Sequence, residues 1–309
     1  MNITVFGGAG FIGANFIKLI SDFNYQITLY DRNTSNKILP DCSYKIIEGD
    51  FFSETEFDNI LYGQDVVVHS ISSVSPYTSM VNIKDPYEKD VLTVIRLLEA
   101  ARKNMVNKVV FLSSGGTVYG NSTEKHLTEE MYSTPLNHYG IMKLTIEKIL
   151  LLYNELYDMD NIILRVANPY GLGQSPQKNI GAVSIFLDKI LKNEEITLFG
   201  DGSIVRDYIE ISDVSKALLY SIQYRGKGQK VKPIFNVGTG VGTSLIELIS
   251  VIEKVTNMKS RVSFLDERNI DVKRNVLNTE KANNYLKFNA TTSLTDGIRN
   301  LYNFKRREL

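Results

Sequence analysis

A glycine-rich turn begins at residue 7 and directly follows a short apolar run, Ile3–Phe6. This order predicts a strand, a tight turn and a helix in succession. Glycine suits such a turn because it accepts positive φ, lets the backbone approach a ligand and lets the helix pack closely on the strand. The helix directs its first N–H groups and the positive end of its dipole towards the turn. The pattern therefore predicts a pyrophosphate site, formed by Gly7, Gly10, Phe11, Ile12 and Gly13.

An acidic residue ends the next predicted strand. Asp31 follows the run Ile27–Tyr30, at a spacing where a carboxylate can accept hydrogen bonds from the adenosine ribose of a dinucleotide. Asp31 therefore favours NAD over NADP. Arg32 leaves NADP open as a cofactor, because a neighbouring guanidinium can receive a 2′-phosphate.

Short apolar runs recur along the chain, and most are separated by segments of helical periodicity. This alternation predicts an α/β fold with a Rossmann-type, doubly wound parallel sheet. The predicted strands are Ile3–Phe6, Ile27–Tyr30, Tyr44–Ile47, Val66–His69, Val109–Leu112, Ile162–Val166 and Ile234–Val237. The predicted helices are Gly10–Ser21, Asp85–Lys103, Tyr139–Tyr157 and Thr243–Val255.

Turns become denser after about Asn168, which predicts a second and smaller lobe. We expect residues 1–167 to form an NAD(P)-binding domain that also receives about 205–238. Residues 168–309 should form mainly an α/β substrate-binding lobe. No long Gly/Ser/Pro linker separates the two, so they should share a close interface.

Composition and charge exclude several classes of protein. Lys+Arg and Asp+Glu are 35 each, so no global positive field suggests nucleic acid or an anionic membrane as a partner. The single cysteine, Cys42, excludes an internal disulfide framework, and the sequence offers no cluster of metal ligands. No apolar run is long enough to span a membrane, and the first strand leaves no room for a signal peptide. We expect a cytoplasmic protein without a metal site.

Tyr139 and Lys143 lie one helical turn apart at the start of a predicted helix, so their side chains share a face. A tyrosine acting as a base at neutral pH needs its pKa lowered by about three units, or about 4 kcal/mol. Lys143 and a nearby nicotinamide cation could supply that field. The pair is a candidate for proton transfer, although this spacing alone also occurs by chance.

Several motifs occur together in an order that resembles the extended short-chain dehydrogenase/reductase family, in its nucleotide-sugar epimerase/dehydratase branch. The resemblance covers essentially the whole chain. Its motifs are the glycine turn, Asp31, Ser113–Gly120, Tyr139 with Lys143, Arg165–Gly171, Gly49–Phe51, Gly200–Gly202, Arg206–Tyr208 and Arg268–Asp271.

The resemblance implies a role for each motif. Tyr139 exchanges a proton with the sugar, Lys143 holds the cofactor ribose and tunes Tyr139, and a hydride moves between sugar and nicotinamide. Asp50, Phe51 and Ser70 are expected at the cofactor. Arg206 and Arg268 are expected to bind the substrate diphosphate, with Asn168 beside them.

The chain departs from the family pattern at several positions. Gly115 stands where many relatives have a hydroxyl that holds the reacting sugar oxygen, so Thr117 is expected to replace it, with Ser114 as the alternative. Dehydratases have an Asp-Glu pair at Gly116 and Thr117, and its absence argues against dehydration. Asp90 stands where relatives usually have Asn near the cofactor.

The resemblance leaves two activities open. The first is a nucleotide-diphosphohexose 4-epimerase that keeps its NAD bound, acting on UDP-glucose and UDP-galactose or their N-acetyl forms. The second is a reductase of a nucleotide-linked 4-keto-6-deoxyhexose, for example a dTDP-linked one, which Asp90, Arg32 and the absence of a hydroxyl at Gly115 favour. A non-catalytic cofactor-binding protein is a third reading, which the presence of both Tyr139 and Lys143 argues against. The resemblance also implies a homodimer through the helices Asp85–Lys103 and Tyr139–Tyr157, and a role in making polysaccharide precursors.

Overall fold

The computed structural model of this chain describes residues 1–32, 34, 41–175, 181–226, 228, 231–267 and 272–308. Its strands are β1 (Asn2–Phe6), β2 (Gln26–Asp31), β3 (Lys45–Glu48), β4 (Val66–His69), β5 (Lys108–Ser114), β6 (Ile162–Val166), β7 (Asn168–Tyr170), β8 (Glu195–Phe199), β9 (Val205–Glu210), β10 (Ile234–Val237), β11 (Gly242–Ser244), β12 (Arg261–Leu265) and β13 (Arg274–Asn275). Its α-helices are α1 (Phe11–Ile20), α2 (Phe57–Leu61), α3 (Leu92–Lys103), α4 (His138–Tyr157), α5 (Ala182–Leu191), α6 (Ile211–Gln223), α7 (Leu245–Thr256) and α8 (Leu294–Glu308).

A parallel sheet forms the centre of the larger lobe. Within the described residues it has seven strands in the order β10-β6-β5-β4-β1-β2-β3, and the chain crosses from one half of the sheet to the other after β3, as in a doubly wound fold. Valines of β4 and β5 are buried because helices cover both faces of the sheet. The predicted fold class and all seven predicted strands are confirmed, with small shifts at their ends.

The helix predicted from Asp85 is made of two parts. Pro86–Val91 forms a π-helical turn, and α3 continues from Leu92. A π-helical turn inserts an extra residue into the helical repeat and so redirects the side chains around it. It directs Asp90 inward, where its side chain is buried.

The smaller lobe begins at β7. In the described residues it contains β11, β9 and β13 with β7 paired to β9, and a separate pair of β12 and β8. Helices α5, α7 and α8 enclose its core, which includes Leu187, Leu248 and Ile298. The return to the larger lobe starts later than residue 205, because β9 pairs in the small sheet. Helix α6 then packs on α1, and β10 adds to the large sheet.

Two buried polar side chains join the lobes. The Asp207 carboxylate of β9 accepts hydrogen bonds from the backbone N–H groups of Thr239 (2.9 Å) and Gly240 (3.0 Å). The Asn275 amide of β13 donates to the Gly115 carbonyl oxygen at 2.8 Å. These bonds fix the smaller lobe against the carboxyl ends of the strands of the large sheet.

The helices give no indication of a membrane span. Among those described, none combines the length and the apolar character that a crossing requires.

Candidate active site

The glycine turn lies between β1 and α1 at the carboxyl edge of the large sheet. Gly7 has φ +83°, and the N–H groups of Gly7 and Gly8 both donate to the Tyr30 carbonyl oxygen (2.9 and 3.3 Å). A Cβ atom at Gly13 would lie 2.2 Å from the Gly7 carbonyl oxygen. The turn therefore needs glycine at both ends, because α1 crosses directly above the backbone of residue 7.

The turn and its surroundings fit a dinucleotide. Helix α1 has Gly10 as its N-cap and no side chain caps it, so its first N–H groups can bind an anion. The buried Asp31 carboxylate accepts hydrogen bonds from the N–H groups of Ala9 (3.0 Å) and Arg32 (2.8 Å). Each of its oxygens can accept a further bond from a ribose hydroxyl. Arg32 is exposed next to it.

The other predicted cofactor residues border this turn. Ser70 donates to the Phe6 carbonyl oxygen at 2.8 Å, and its Oγ would lie 2.6 Å from a Cβ at Gly7. Asp50 is exposed. The Phe51 ring is buried and stacks on His69, with 4.8 Å between ring centroids. The Phe51 side chain is therefore not available to a ligand.

Tyr139 and Lys143 lie on one face of the first turns of α4, as predicted. Asn137 caps the helix by accepting a hydrogen bond from the Gly140 N–H at 2.8 Å. The Lys143 ammonium donates to the Leu112 carbonyl oxygen at 2.9 Å and lies 5.6 Å from the centre of the Tyr139 ring. The lysine is buried and the tyrosine partly buried.

Burial changes the acidity of both groups. It raises the pKa of Tyr139 to about 12, with a further increase from the Asp90 charge and a decrease from a hydrogen bond with Ser114. It lowers the pKa of Lys143 to about 8, against the opposing charges of Asp90 and Glu147. Without a ligand, the protein alone therefore holds Tyr139 as a neutral phenol and Lys143 as a cation at neutral pH.

Two buried carboxylates flank Lys143, and their partners differ. Glu147 is fully buried, pairs with Arg165 (2.7 Å) and accepts a hydrogen bond from the Ser113 hydroxyl (2.5 Å). Asp90 accepts hydrogen bonds from the Ser73 backbone (3.0 Å) and from the Ser73 hydroxyl. Among the described residues Asp90 forms no ion pair within 4.0 Å.

In the segment after β5, the surrounding residues leave no space for a side chain at residue 115. A Cβ at Gly115 would lie 2.6 Å from Leu277 Cδ1, whereas one at Gly116 would meet only Asn168 and Ser114, at 3.7 and 3.8 Å. The space for a side chain is therefore at residue 116, between Ser114 and Asn168. Thr117 packs its carbonyl oxygen against Gly140, and its buried hydroxyl has no hydrogen-bond partner in the described part of the chain.

The predicted substrate residues of the smaller lobe line a cavity of about 230 Å³. Arg206 of β9 and Asn168 of β7 both face it, and the Asn168 amide donates to the Asp207 carbonyl oxygen at 2.9 Å. Tyr208 also lines this cavity, and its buried hydroxyl has no partner among the residues described. Arg268 was predicted here as well, but it lies outside the described residues.

Residues 3–238, most of the chain, match the family described as the NAD dependent epimerase/dehydratase family. The chain belongs to this family. Membership confirms the predictions of an NAD-dependent enzyme and of the nucleotide-sugar epimerase/dehydratase branch.

Relatives of this epimerase/dehydratase chain match it along nearly its full length. A UDP-glucose 4-epimerase of Mycolicibacterium smegmatis is 31% identical over 99% of both chains. A dTDP-4-dehydro-6-deoxyglucose reductase of Escherichia coli is 29% identical over 96% of this chain and 95% of its own. The crystal structure of a UDP-glucose 4-epimerase with UDP-glucose, from Thermotoga maritima, superimposes with a TM-score of 0.91 at 29% identity, covering 100% of this chain and 99% of that one.

Two residues have a more central position in the site than the sequence predicts. Ser114 is only the alternative to Thr117 in the sequence prediction, yet Ser114 is the side chain that lowers the pKa of Tyr139 against the effect of burial. Tyr208 was noted as part of a motif and given no role. Tyr208 lies two residues after Arg206 in β9, so both side chains are on the same face of the strand. This spacing is visible in the sequence motif.

Proposed function

We propose that this protein is an NAD-dependent UDP-hexose 4-epimerase, acting on UDP-glucose and UDP-galactose or on their N-acetyl forms. The observation that carries the proposal is the position of Tyr139 and Lys143. They lie at the carboxyl edge of the sheet, with the glycine turn on the same edge and the cavity at Arg206 in the adjoining lobe. The similarity to proteins named UDP-glucose 4-epimerase supports the choice of reaction.

Tyr139 is the proposed acid and base of the reaction. Its phenolate removes the proton from the C4 hydroxyl, and its phenol returns a proton when the sugar is reduced again. NAD supplies the chemistry of hydride transfer when bound. Lys143 is proposed to favour the phenolate through its positive charge, because a nearby cation stabilises an ionised phenol. The same ammonium is placed to hold the cofactor ribose.

Other side chains are proposed to bind the substrate. Ser114 and Thr117 are the hydroxyls available to the reacting sugar oxygen, since Gly115 has no side chain and no space for one. Arg206 and Arg268 are proposed to bind the diphosphate, with Asn168 as a neutral donor. The unpartnered Tyr208 hydroxyl is a further donor or acceptor in the same cavity.

A reductase of a dTDP-linked 4-keto-6-deoxyhexose is the second candidate. The similarity to the E. coli reductase favours it, as does a buried carboxylate, Asp90, beside the proton-transfer pair. Such an enzyme would release its nicotinamide cofactor after each turnover, whereas the epimerase would keep it.

The finer assignments are also proposals. Residues 1–167 together with about 205–238 would bind the cofactor, and 168–309 mainly the sugar nucleotide. The outer faces of α3 and α4 expose Leu92, Leu152 and Leu156, which supports a homodimer through these helices. We place the enzyme in the cytoplasm, supplying precursors for polysaccharide synthesis.

One experiment separates the two candidates. The purified protein is incubated with UDP-galactose without added cofactor, and separately with NADH and a dTDP-4-keto-6-deoxyhexose. Formation of UDP-glucose in the first reaction supports the epimerase, and NADH consumption confined to the second supports the reductase. Tyr139→Phe should abolish turnover and retain NAD binding. Turnover at the wild-type rate by this variant would refute the assignment of Tyr139.

A further inference from the structure

The buried charges around Lys143 are unequally compensated. Glu147 lies one helical turn beyond Lys143, but Arg165 binds its carboxylate through both Nε and Nη2. Asp90 is equally withdrawn from solvent, with 2% of its surface exposed. It has hydrogen bonds from Ser73 and no cation of its own in the described residues. Burial raises the pKa of Asp90, whereas the hydrogen bonds from Ser73 and the charge of Lys143 lower it, so this carboxylate and the Lys143 ammonium stabilise each other's charge.

The π-helical turn is what brings this carboxylate inward. Pro86–Val91 packs against α4, the helix that carries Tyr139 and Lys143. Asp85, at the start of the same turn, instead pairs with Lys89 at the surface at 3.0 Å. The two aspartates are five positions apart, and only Asp90 acts on the proton-transfer pair.

We propose that Asp90 is a positioning residue, whose buried carboxylate is the counter-charge that keeps Lys143 cationic beside Tyr139. The proposal rests on the function proposed above, in which Lys143 assists Tyr139. Its consequence is that the enzyme retains the charged lysine at neutral pH although the side chain is buried. A neutral amide at residue 90 would remove the larger of the two charges that oppose the effect of burial on the pKa of Lys143.

The other titratable groups around Tyr139 and Lys143 do not provide the negative charge that Asp90 provides. From β4, His69 is neutral because burial and the Lys143 charge lower its pKa to about 3. From α4, Glu147 is compensated by Arg165. The π-helical turn also contributes Tyr87, which is hydrogen-bonded to His138 of α4 at 2.8 Å. Strand β5 contributes Lys108, which pairs with Asp160 at the opposite edge of the sheet.

The test measures the ionisation of Lys143 directly and needs no substrate. Trace acetylation with acetic anhydride is followed by mass spectrometry of the peptide that contains Lys143, from about pH 6 to about pH 10. In the wild-type protein we expect a midpoint near pH 8. Asp90→Asn should increase the acid dissociation constant of Lys143 about tenfold, because one buried charge is lost. The midpoint then falls by about one pH unit.

Two variants separate charge from structure. Asp85→Asn makes the same substitution in the same turn at the surface, and should leave the midpoint unchanged. Ser73→Ala removes a hydrogen bond to Asp90 and keeps its charge, so the midpoint should move much less than in D90N. If D90N does not fold, Asp90→Ser is measured instead. A midpoint in D90N or D90S equal to that of the wild type would overturn the proposal, as would an equal shift in S73A.

Activity measurements provide the second readout. The alkaline limb of the kcat profile should move to lower pH in D90N by the same amount, with KM for the sugar nucleotide little changed. An altered KM with an unmoved pH profile would indicate a merely structural role and overturn the proposal. If no sugar nucleotide is turned over but the labelling midpoint shifts, the proposed function fails while the charge coupling stands.

Discussion

Adjacent glycines in the segment after β5 should respond in opposite ways to the same substitution. Gly115→Ala would place a methyl group 2.6 Å from Leu277 Cδ1 and 3.0 Å from the Arg165 carbonyl oxygen. Both neighbours are buried, and overpacking of this kind costs about 1–3 kcal/mol. Gly116→Ala meets nothing closer than 3.7 Å. It should change the free energy of unfolding by less than about 1 kcal/mol, or raise it by restricting the unfolded chain.

Leu277 provides the internal control. Leu277→Ala alone should cost about 2–5 kcal/mol, because it leaves a cavity in the core. In the double variant the new methyl group at residue 115 enters that cavity, so the combined cost should be smaller than the sum by about 1 kcal/mol or more. Urea unfolding of the wild type, the three single variants and the double variant, followed by circular dichroism, measures these differences in the free energy of unfolding. Equal effects of G115A and G116A, or strict additivity with L277A, would refute this account of Gly115.

Two further predictions concern buried charge. The buried His69 stays neutral in the folded protein because its pKa is lowered to about 3, whereas the unfolded chain binds a proton below about pH 6.5. Stability should therefore fall by about 1.4 kcal/mol per pH unit as the pH decreases from about 6.5 towards 3, and His69→Phe should remove that component of the slope in acid-dependent unfolding. Glu147→Gln leaves the Arg165 guanidinium buried without its counter-ion. It should lower the free energy of unfolding by about 3–5 kcal/mol, and a loss below about 1 kcal/mol would contradict the importance of the pair.

The features that sequence reasoning found are those encoded by neighbouring residues. The glycine turn needs small residues at fixed spacings, and the strands of the large sheet are short apolar runs, so both are visible locally. Tyr139 and Lys143 share a helix face because of a spacing that any α-helix imposes. Asp31 is recognisable because it ends a predicted strand.

The features that were missed depend on residues far apart in the chain. Leu277 fills the space that a side chain at residue 115 would need, and Asn275 donates a hydrogen bond to the Gly115 carbonyl oxygen. Both residues are about 160 positions away in the chain. No pattern among neighbouring residues predicts such a contact. The inward direction of Asp90 depends on a π-helical turn, which looks like ordinary helix in sequence.

The last strand of the large sheet has a consequence for how the chain is made. Strand β10 covers the edge of β6 through parallel pairing from Ile234↔Ile163 to Val237↔Val166, and the ribosome must synthesise β7, β8, β9 and α6 before it appears. Until then β6 presents an unpaired row of backbone groups flanked by apolar side chains, a surface on which nascent chains can associate. A fragment that ends at residue 167 should keep this open edge permanently and aggregate, even though it contains the complete glycine turn and both Tyr139 and Lys143.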